Sequence, residues 1–405
     1  MNKHAVRLFA LMLIAMAGAV AAQTNLRVVI PYYSAATEPF FQEAASAFEA
    51  ENPDITIELE VVNWDTLFQK LTTDIAGGAA PDVSIIGTRW LTDFVSQGIA
   101  EPLGDYMVED DMGDRFIDVF LGPSEIEGEV YGLPWTASAR AMFYNQEIFD
   151  EAGAEVPGTW SELRDAAAAI SENTDVFGFG LQGKEIETDV YWYYAMWSFG
   201  GDIIAADGTS GIDSPEAIEA AEFYKGLIDD GLTQPEPTAY NRENLQDLFK
   251  QGRLAMVITA PFLIGQLADE APDLEYGIAP VPQAEEQVTY GVTDSIMMFE
   301  SSQNKDEAWR FLEFIFRPEV HIDFTVEESF LPVLTAETQT EFFQENERLR
   351  VFADLLPVAR FAPNVADWER IADYTSAALQ RIYLGEESAE AALSQAAGQI
   401  DRLLR

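Results

Sequence analysis

The chain has 405 residues, 48% of them apolar, which is enough for two or three domains with a sizeable core. Its 70 acidic residues against 23 basic ones give a formal net charge of −47, which repels phosphate backbones and anionic lipid, so we expect no binding to nucleic acid or membrane surfaces. The absence of cysteine excludes disulfides, zinc–thiolate sites, iron–sulfur clusters, thiol catalysis and a lipid-modified N-terminal cysteine.

The first segment has the pattern of a secretory signal peptide. Lys3 and Arg7 form a short positive region, and an apolar region follows from Leu8 to Val20. Small residues then offer a cleavage site, which we place after Ala22, with cleavage after Ala21 as the alternative. No later stretch is apolar enough to predict a transmembrane helix. We therefore expect an exported protein of the periplasm, without stable membrane insertion.

Strand-like and helix-like segments then alternate, a pattern typical of an α/β fold with parallel strands covered on both faces. The β-rich run Leu26–Pro31 precedes a helix with a predicted N-cap at Thr37. Further strands are predicted at 55–62, 82–86, 254–259 and 276–281, and further helices at 64–76, 160–171, 215–230 and 306–316. No linker rich in Pro, Ser or Gly divides the chain, so we expect two domains joined by several crossings.

The sequence offers no catalytic or cofactor motif. His321 is the one histidine after the signal segment, and its helix-like context predicts packing at a surface or helix end, not a Ser-His-Asp triad. Gly178-Phe179-Gly180 lacks the third glycine of a dinucleotide fingerprint, and Asp110, Asp111 and Asp114 lack calcium-loop spacing. We predict a non-enzyme with no catalytic residues, no metal site and no cofactor. A secreted glycoside hydrolase stays open, because so many carboxylates nominate no particular pair.

Aromatic residues cluster at predicted loops and helix starts. An aromatic face packs on the C–H face of a sugar ring, while Asp, Asn and Arg bind its hydroxyls, so this composition fits a cleft for a polar ligand. Packing in the core is the alternative. The residues concerned are Tyr32, Tyr33, Trp90, Trp135, Tyr191, Trp192, Tyr193, Tyr194, Trp197, Phe262 and Trp368.

Several short motifs, in this order, resemble the extracellular solute-binding proteins of carbohydrate ABC transporters, the maltose- and trehalose-type group. The segment Ile75–Val83 is similar to the family's glycine–Pro-Asp-Val entry into a strand. Gly132–Trp135 leading into Phe143–Asn145, and the helix opening Pro157–Leu163, match two further family motifs. The resemblance covers essentially all of 23–405.

The resemblance implies a two-lobe periplasmic-binding-protein fold of type II, with a ligand cleft between lobes joined by a multi-crossing hinge. One lobe would comprise 23–136 plus 284–328, and the other 137–283 plus 329–405. A monomer of this kind would bind a small carbohydrate (a di- or oligosaccharide, glycoside or polyol) by hinge closure and deliver it to the permease subunits of an ABC transporter. A cationic solute such as a polyamine is the alternative, because carboxylates and aromatic rings also suit an ammonium group.

The resemblance also implies ligand-binding positions. Gly87 and Ser138 stand where relatives have Asp, so Thr88 or Arg89 would replace the first of those contacts. Arg360 and Asp294 have a structural ion pair as the alternative role. The predicted ligand-binding residues are Tyr33, Glu38, Thr88, Arg89, Trp90, Trp135, Ser138, Asp189, Tyr191, Trp192, Phe262, Thr293, Asp294 and Arg360.

Overall fold

The computed structural model describes residues 23–109, 112–184 and 187–405. The predicted signal peptide, its cleavage site, and Asp110 and Asp111 lie outside these residues. None of the described helices combines the length and the hydropathy that a bilayer crossing requires.

Short strands and helices alternate along the described chain. The strands are β1 (Thr24–Pro31), β2 (Ile55–Val62), β3 (Val83–Gly87), β4 (Glu125–Ile126), β5 (Glu129–Val130), β6 (Leu133–Ser138), β7 (Ala141–Asn145), β8 (Phe177–Phe179), β9 (Leu254–Thr259), β10 (Tyr276–Ala279), β11 (Thr289–Tyr290), β12 (Val292–Met298) and β13 (Ala359–Arg360).

The α-helices are α1 (Thr37–Glu51), α2 (Trp64–Ala76), α3 (Leu91–Ser96), α4 (Gly104–Glu109), α5 (Asp118–Leu121), α6 (Gln146–Ala152), α7 (Trp160–Asn173), α8 (Val190–Ser198), α9 (Pro215–Asp229), α10 (Arg242–Lys250), α11 (Leu263–Glu270), α12 (Lys305–Ile315), α13 (Pro318–Glu327), α14 (Glu341–Glu345), α15 (Glu347–Leu355), α16 (Trp368–Tyr383) and α17 (Ala389–Ile400).

The first sheet forms the centre of an N-terminal lobe and has the strand order β2-β1-β3-β12-β6. Strand β1 pairs in parallel with β2 and β3, as the alternating pattern predicts. Strand β12 runs antiparallel to both β3 and β6. The sheet is therefore mixed and not wholly parallel, because β12 enters it from the opposite direction after the chain has built the second sheet.

The second sheet forms the centre of a C-terminal lobe and has the order β10-β7-β9-β8. Its strands present alternate side chains to opposite faces: Phe143 joins one buried cluster, and Met142 joins the other. The cluster around Met142 contains the buried faces of α7, α8, α9, α16 and α17. The sheet is thus covered by helices whose apolar residues close the core of this lobe.

Several chain crossings connect the two sheets within the described residues, and none is a long linker. Strand β6 ends at Ser138, two residues past the predicted lobe limit, and β7 begins at Ala141. A single residue, Gly291, separates β11 from β12. After α13 the chain passes back, and the amide of Leu331 donates a 2.9 Å hydrogen bond to the carbonyl of Ala137. Short connections of this kind allow bending without separation of the lobes.

Local helix signals are mostly confirmed, with one informative exception. Thr159 and Glu162 form the predicted capping box of α7. The predicted cap at Thr37 is wrong, because Ala36 occupies the N-cap position of α1 and makes no side-chain cap. The Thr37 hydroxyl instead accepts hydrogen bonds from the amides of Tyr33 and Ser34, each at 3.0 Å. Thr37 therefore anchors the loop that follows β1.

Candidate ligand-binding site

A cavity of about 520 Å³ lies between the two lobes. Its volume falls within the roughly 300–1,000 Å³ that small-molecule sites occupy. The N-terminal lobe contributes the residues that follow β1, β3 and β6 and the start of α2. The C-terminal lobe contributes the start of α10 and the loop that precedes α11. Ligand sites in open α/β sheets commonly form at such strand ends.

Aromatic side chains from both lobes form much of the cavity wall. The Tyr33 ring meets Trp64 edge-on at a centroid distance of 5.6 Å and Phe330 at 5.2 Å. Trp64 in turn meets Trp90 at 5.7 Å. These contacts fix the rings as rigid surfaces on which the apolar face of a ligand can pack. The remaining aromatic rings of the wall are Tyr32, Phe262, Tyr290 and Phe361.

Two buried carboxylates, Asp294 and Glu328, also line the cavity. The Tyr33 and Thr136 hydroxyls donate to Oδ2 of Asp294 at 3.0 and 2.8 Å. The Thr37 hydroxyl donates to Oε1 of Glu328 at 2.7 Å. Burial raises the pKa of Asp294 to about 6, although hydrogen bonds from Thr136 and Tyr33 lower it. Burial likewise raises the pKa of Glu328.

In a second cluster of charged side chains, Glu187 joins two arginines of the cavity wall. The Arg242 guanidinium lies 2.8 Å from Oε2 of Glu187, and the Arg140 guanidinium lies 3.4 Å from Oε1. Arg140 also donates to the Ser138 hydroxyl at 3.1 Å. The Arg242 guanidinium carbon lies 5.0 Å from the centroid of the Phe262 ring. The guanidinium groups are therefore held in position by a carboxylate and an aromatic face.

A third group connects the lobes directly. Arg89 follows β3, and its guanidinium makes a fork with Glu369 of α16: Nε lies 2.7 Å from Oε1, and Nη2 lies 3.0 Å from Oε2. Trp90 Nε1 donates to the same Glu369 carboxylate at 2.8 Å. Asp189 lies behind this group, 3.5 Å from Arg89. Burial raises the pKa of Asp189 to about 6, although Arg89 opposes the shift.

The structure brings eight of the predicted ligand-binding residues to the cavity wall. They are contributed by both lobes and by the strands that cross between them, which explains why they are far apart in the sequence. The eight are Tyr33, Thr88, Arg89, Trp90, Ser138, Phe262, Thr293 and Asp294.

Three predicted aromatic positions lie in the core and not on the cavity wall. Tyr191 and Trp192 belong to α8, all nine residues of which are buried. A helix that is apolar on every side is surrounded by protein, so the aromatic run packs inside the C-terminal lobe. Trp135 is buried in the N-terminal lobe, where its ring centroid lies 5.3 Å from that of Phe41. These three residues therefore pack in the core, which was the alternative to a position in the cleft.

Three predicted charged positions also lie off the wall. Glu38 is exposed on α1 and accepts a hydrogen bond from Gln42 one turn later. Asp189 is buried beneath Arg89. The Arg360 side chain is 38% exposed and pairs with Glu286, 2.6 Å away, so it does not form the expected pair with Asp294.

Of the two alternatives for His321, the structure shows packing at a helix end and not at the surface: it lies in the first turn of α13, and its side chain is fully buried. Its Nδ1 lies 2.6 Å from the Glu337 carboxylate, and its Nε2 lies 2.9 Å from the carbonyl of Trp135. A carbonyl only accepts, so Nε2 carries a proton. His321 thus connects Glu337 to Trp135 inside the N-terminal lobe, close to the segment in which the chain passes back after α13.

The wall residues that were not anticipated include Trp64, Arg140, Glu187, Arg242 and Glu328. Trp64 had a usable signal, since it opens a helix directly after a strand, at the edge where ligand sites form. Glu187 and Glu328 had no such sequence signal, because a single carboxylate cannot be singled out among 70 acidic residues.

Comparison with known proteins gives a consistent result. Residues 34–322 match the family described as bacterial extracellular solute-binding protein. A relative from Brucella abortus is 54% identical over 385 residues, covering 94% of this chain and 93% of its own. The maltotriose-binding protein of Pyrococcus abyssi is 29% identical over 306 residues, covering 73% of this chain and 63% of its own.

The fold has close matches among solved structures. The GacH receptor of Streptomyces glaucescens, solved unliganded and with acarbose, superimposes with a TM-score of 0.86 at 25% identity. The match covers 94% of this chain and 98% of that one. The chain therefore has the two-lobe fold that the order of its motifs predicts.

Proposed function

This chain belongs to the bacterial extracellular solute-binding proteins, and from that premise we propose that it binds a small carbohydrate for an ABC importer. The solute would be a di- or oligosaccharide, a glycoside or a polyol, held in the cavity between the lobes. The lobes, 23–136 plus 284–328 and 137–283 plus 329–405, would close on it by bending at the crossings. A monomer would then deliver the solute from the periplasm to the permease.

One observation carries this proposal: the cavity combines aromatic walls from both lobes with charged groups held by their own partners. Tyr33, Trp64 and Trp90 on one side, and Phe262 on the other, offer surfaces for sugar rings. Carboxylates and guanidinium groups already fixed in place form short hydrogen bonds to hydroxyls without rearrangement.

The structure disfavours a free polyamine as the solute. Three arginines, Arg89, Arg140 and Arg242, line the cavity, and a chain of several ammonium groups would lie against them at close range. Glu369 and Glu187 offset much of the Coulomb repulsion, but an ammonium and a guanidinium are both hydrogen-bond donors, so the polyamine and the arginines can form no hydrogen bonds with each other. A saccharide has no such conflict, because a guanidinium donates to its hydroxyl oxygens.

A calorimetric titration after a thermal-shift screen tests the proposal. The screen uses the mature protein with neutral mono-, di- and trisaccharides, polyols and polyamines, and we expect saturable binding of at least one neutral saccharide. Small-angle scattering should show a smaller radius of gyration with that ligand, and chromogenic glycosides should not be hydrolysed. Binding of polyamines alone, or turnover of a glycoside, would contradict the proposal.

A further inference from the structure

The charged groups of the cavity wall differ in whether they have a counter-charge. Arg89 is paired with Glu369 at 2.7 Å, and Arg140 and Arg242 share Glu187. Asp294 and Glu328 line the same cavity, but no Lys, Arg or His of the described chain lies within ion-pair distance of either one. The cavity therefore contains arginines that are already neutralised and two carboxylates that are not.

Hydroxyl groups hold these two carboxylates in place. Asp294 is 8% exposed, and Oδ2 alone accepts the bonds from Tyr33 and Thr136. Its other oxygen, Oδ1, accepts no hydrogen bond from any residue that the structure describes. Glu328 is 5% exposed and accepts a bond from Thr37. Each side chain is thus more than nine-tenths buried, while part of its capacity to accept hydrogen bonds remains for a ligand.

Tyr33 connects the two carboxylates through hydrogen bonds. Its hydroxyl donates to Asp294, and its amide donates to the hydroxyl of Thr37, which itself donates to Glu328. The ring of Tyr33 contacts Trp64 and Phe330, which also line the cavity. We call Tyr33, Trp64, Asp294, Glu328 and Phe330 the acidic end of the cavity.

A neutral ligand at the acidic end leaves an electrostatic cost. Closure of the lobes removes the remaining water from two carboxylates that have no cation at ion-pair distance, although the charge of Arg140 acts on Asp294 from farther away; a buried charge is stable only when it is paired. Burial already raises the pKa of both carboxyl groups, which shows that the site disfavours their charged form. A ligand ammonium would neutralise a carboxylate, donate up to three hydrogen bonds and contact the faces of aromatic rings.

We infer that the acidic end binds a protonated amine, so that the preferred solute is an amino sugar: a saccharide with one amine in place of a hydroxyl. This inference rests on the proposed carbohydrate function. It differs from polyamine binding, because one ammonium occupies the acidic end while the neutral remainder of the saccharide lies against the paired arginines.

Matched sugars that differ only in the replacement of hydroxyl groups by amine or acetamido groups test the inference. Calorimetry compares glucose with its 2-amino, 4-amino and 6-amino derivatives, and cellobiose with its di-glucosamine and di-N-acetylglucosamine counterparts. We expect at least one amine to bind ten-fold or more tightly than its hydroxyl parent. The N-acetylated compound, which has the nitrogen but no charge, should not share this advantage. Added salt should reduce the advantage, because it screens the attraction between the two charges.

Variants then assign the effect to the two carboxylates. Asp294→Asn and Glu328→Gln should each reduce the amine's advantage by at least five-fold. Glu327→Gln is the matched control, because Glu327 is an exposed neighbour whose loss changes the net charge equally, and it should keep the advantage. If Asp294→Asn does not fold, Glu328→Gln alone decides the question.

The outcomes separate the two proposals. If neutral saccharides bind and every amine binds no better than its parent, the acidic end does not select amines, while the carbohydrate function stands. If Glu327→Gln lowers the amine's advantage as much as Glu328→Gln, the effect comes from net charge and the assignment to the acidic end is wrong. If neither neutral nor amino saccharides bind, the proposed function itself fails.

Discussion

Glu369 connects the lobes more directly than any other acidic side chain described above, and its removal should weaken the folded state. It accepts three hydrogen bonds from the dipeptide Arg89-Trp90, at 2.7, 3.0 and 2.8 Å. The dipeptide follows β3 of the N-terminal lobe, whereas α16 packs in the core of the C-terminal lobe. Glu369→Gln keeps the size of the side chain but removes its charge. It also turns an amide group, a donor, toward at least one of the three donors.

The structure sets the expected magnitude. Breaking a buried ion pair by removing one partner costs about 3–5 kcal/mol, because the remaining charge is left uncompensated. The Arg89 and Glu369 side chains are 15% and 18% exposed, so water recovers part of that cost. Asp189, 3.5 Å from Arg89, offers a second partner. We therefore expect the free energy of unfolding to fall by about 2–3 kcal/mol, toward the value of a single charged hydrogen bond.

Urea unfolding of the ligand-free protein, followed by circular dichroism, measures this change. Glu386→Gln is the control, because Glu386 is exposed just beyond the end of α16, and it should stay within about 0.5 kcal/mol of the wild type. Trp90→Phe removes one of the three donors and keeps the aromatic ring, so its effect combined with Glu369→Gln should be less than additive. A Glu369→Gln variant as stable as the control would refute the assigned role.

Three further predictions follow from burial and charge. If the net charge of −47 reflects adaptation to brine, the melting temperature should rise substantially between dilute buffer and about 1 M NaCl, where the Debye length is about 3 Å; an unchanged value favours an acidic lineage bias. Trp192→Ala should destabilise the fold by about 3–5 kcal/mol, since Trp192 is fully buried. Trp64→Ala should instead mainly weaken ligand binding in calorimetry. Loss of stability with Trp64→Ala and loss of binding alone with Trp192→Ala would contradict the positions described. The pKa of Asp294 rises from 3.8 to about 6 on folding, so the stability that its protonated form contributes is complete below pH 4 and is lost as the pH rises to about 6. The Asp294→Asn variant should therefore gain up to about 3 kcal/mol relative to the wild type between pH 4 and pH 7. Equal unfolding curves for the variant and the wild type at both pH values would exclude this.

Local structure was predictable because its causes are local. Helix α2 and strand β2 have the predicted bounds, and the capping box of α7 forms as expected. Each depends on contacts within about four residues, which periodicity and capping rules describe. The order of the short motifs likewise pointed to the two-lobe fold, which the match to a solved structure with a TM-score of 0.86 confirms.

The positions of the site residues depended on partners that lie far away in the chain. The Tyr33 hydroxyl bonds Asp294, 261 residues later, and Trp90 bonds Glu369, 279 residues later. No local pattern encodes such pairs, and with 70 acidic residues composition cannot single out the two carboxylates without a counter-charge. The aromatic run that contains Trp192 was equally compatible with a cleft or a core. Only the packing of α8 decided it, because all nine residues of that helix are buried in the C-terminal lobe. The sequence by itself thus determined the elements and the fold family, and tertiary structure decided which side chains line the cavity.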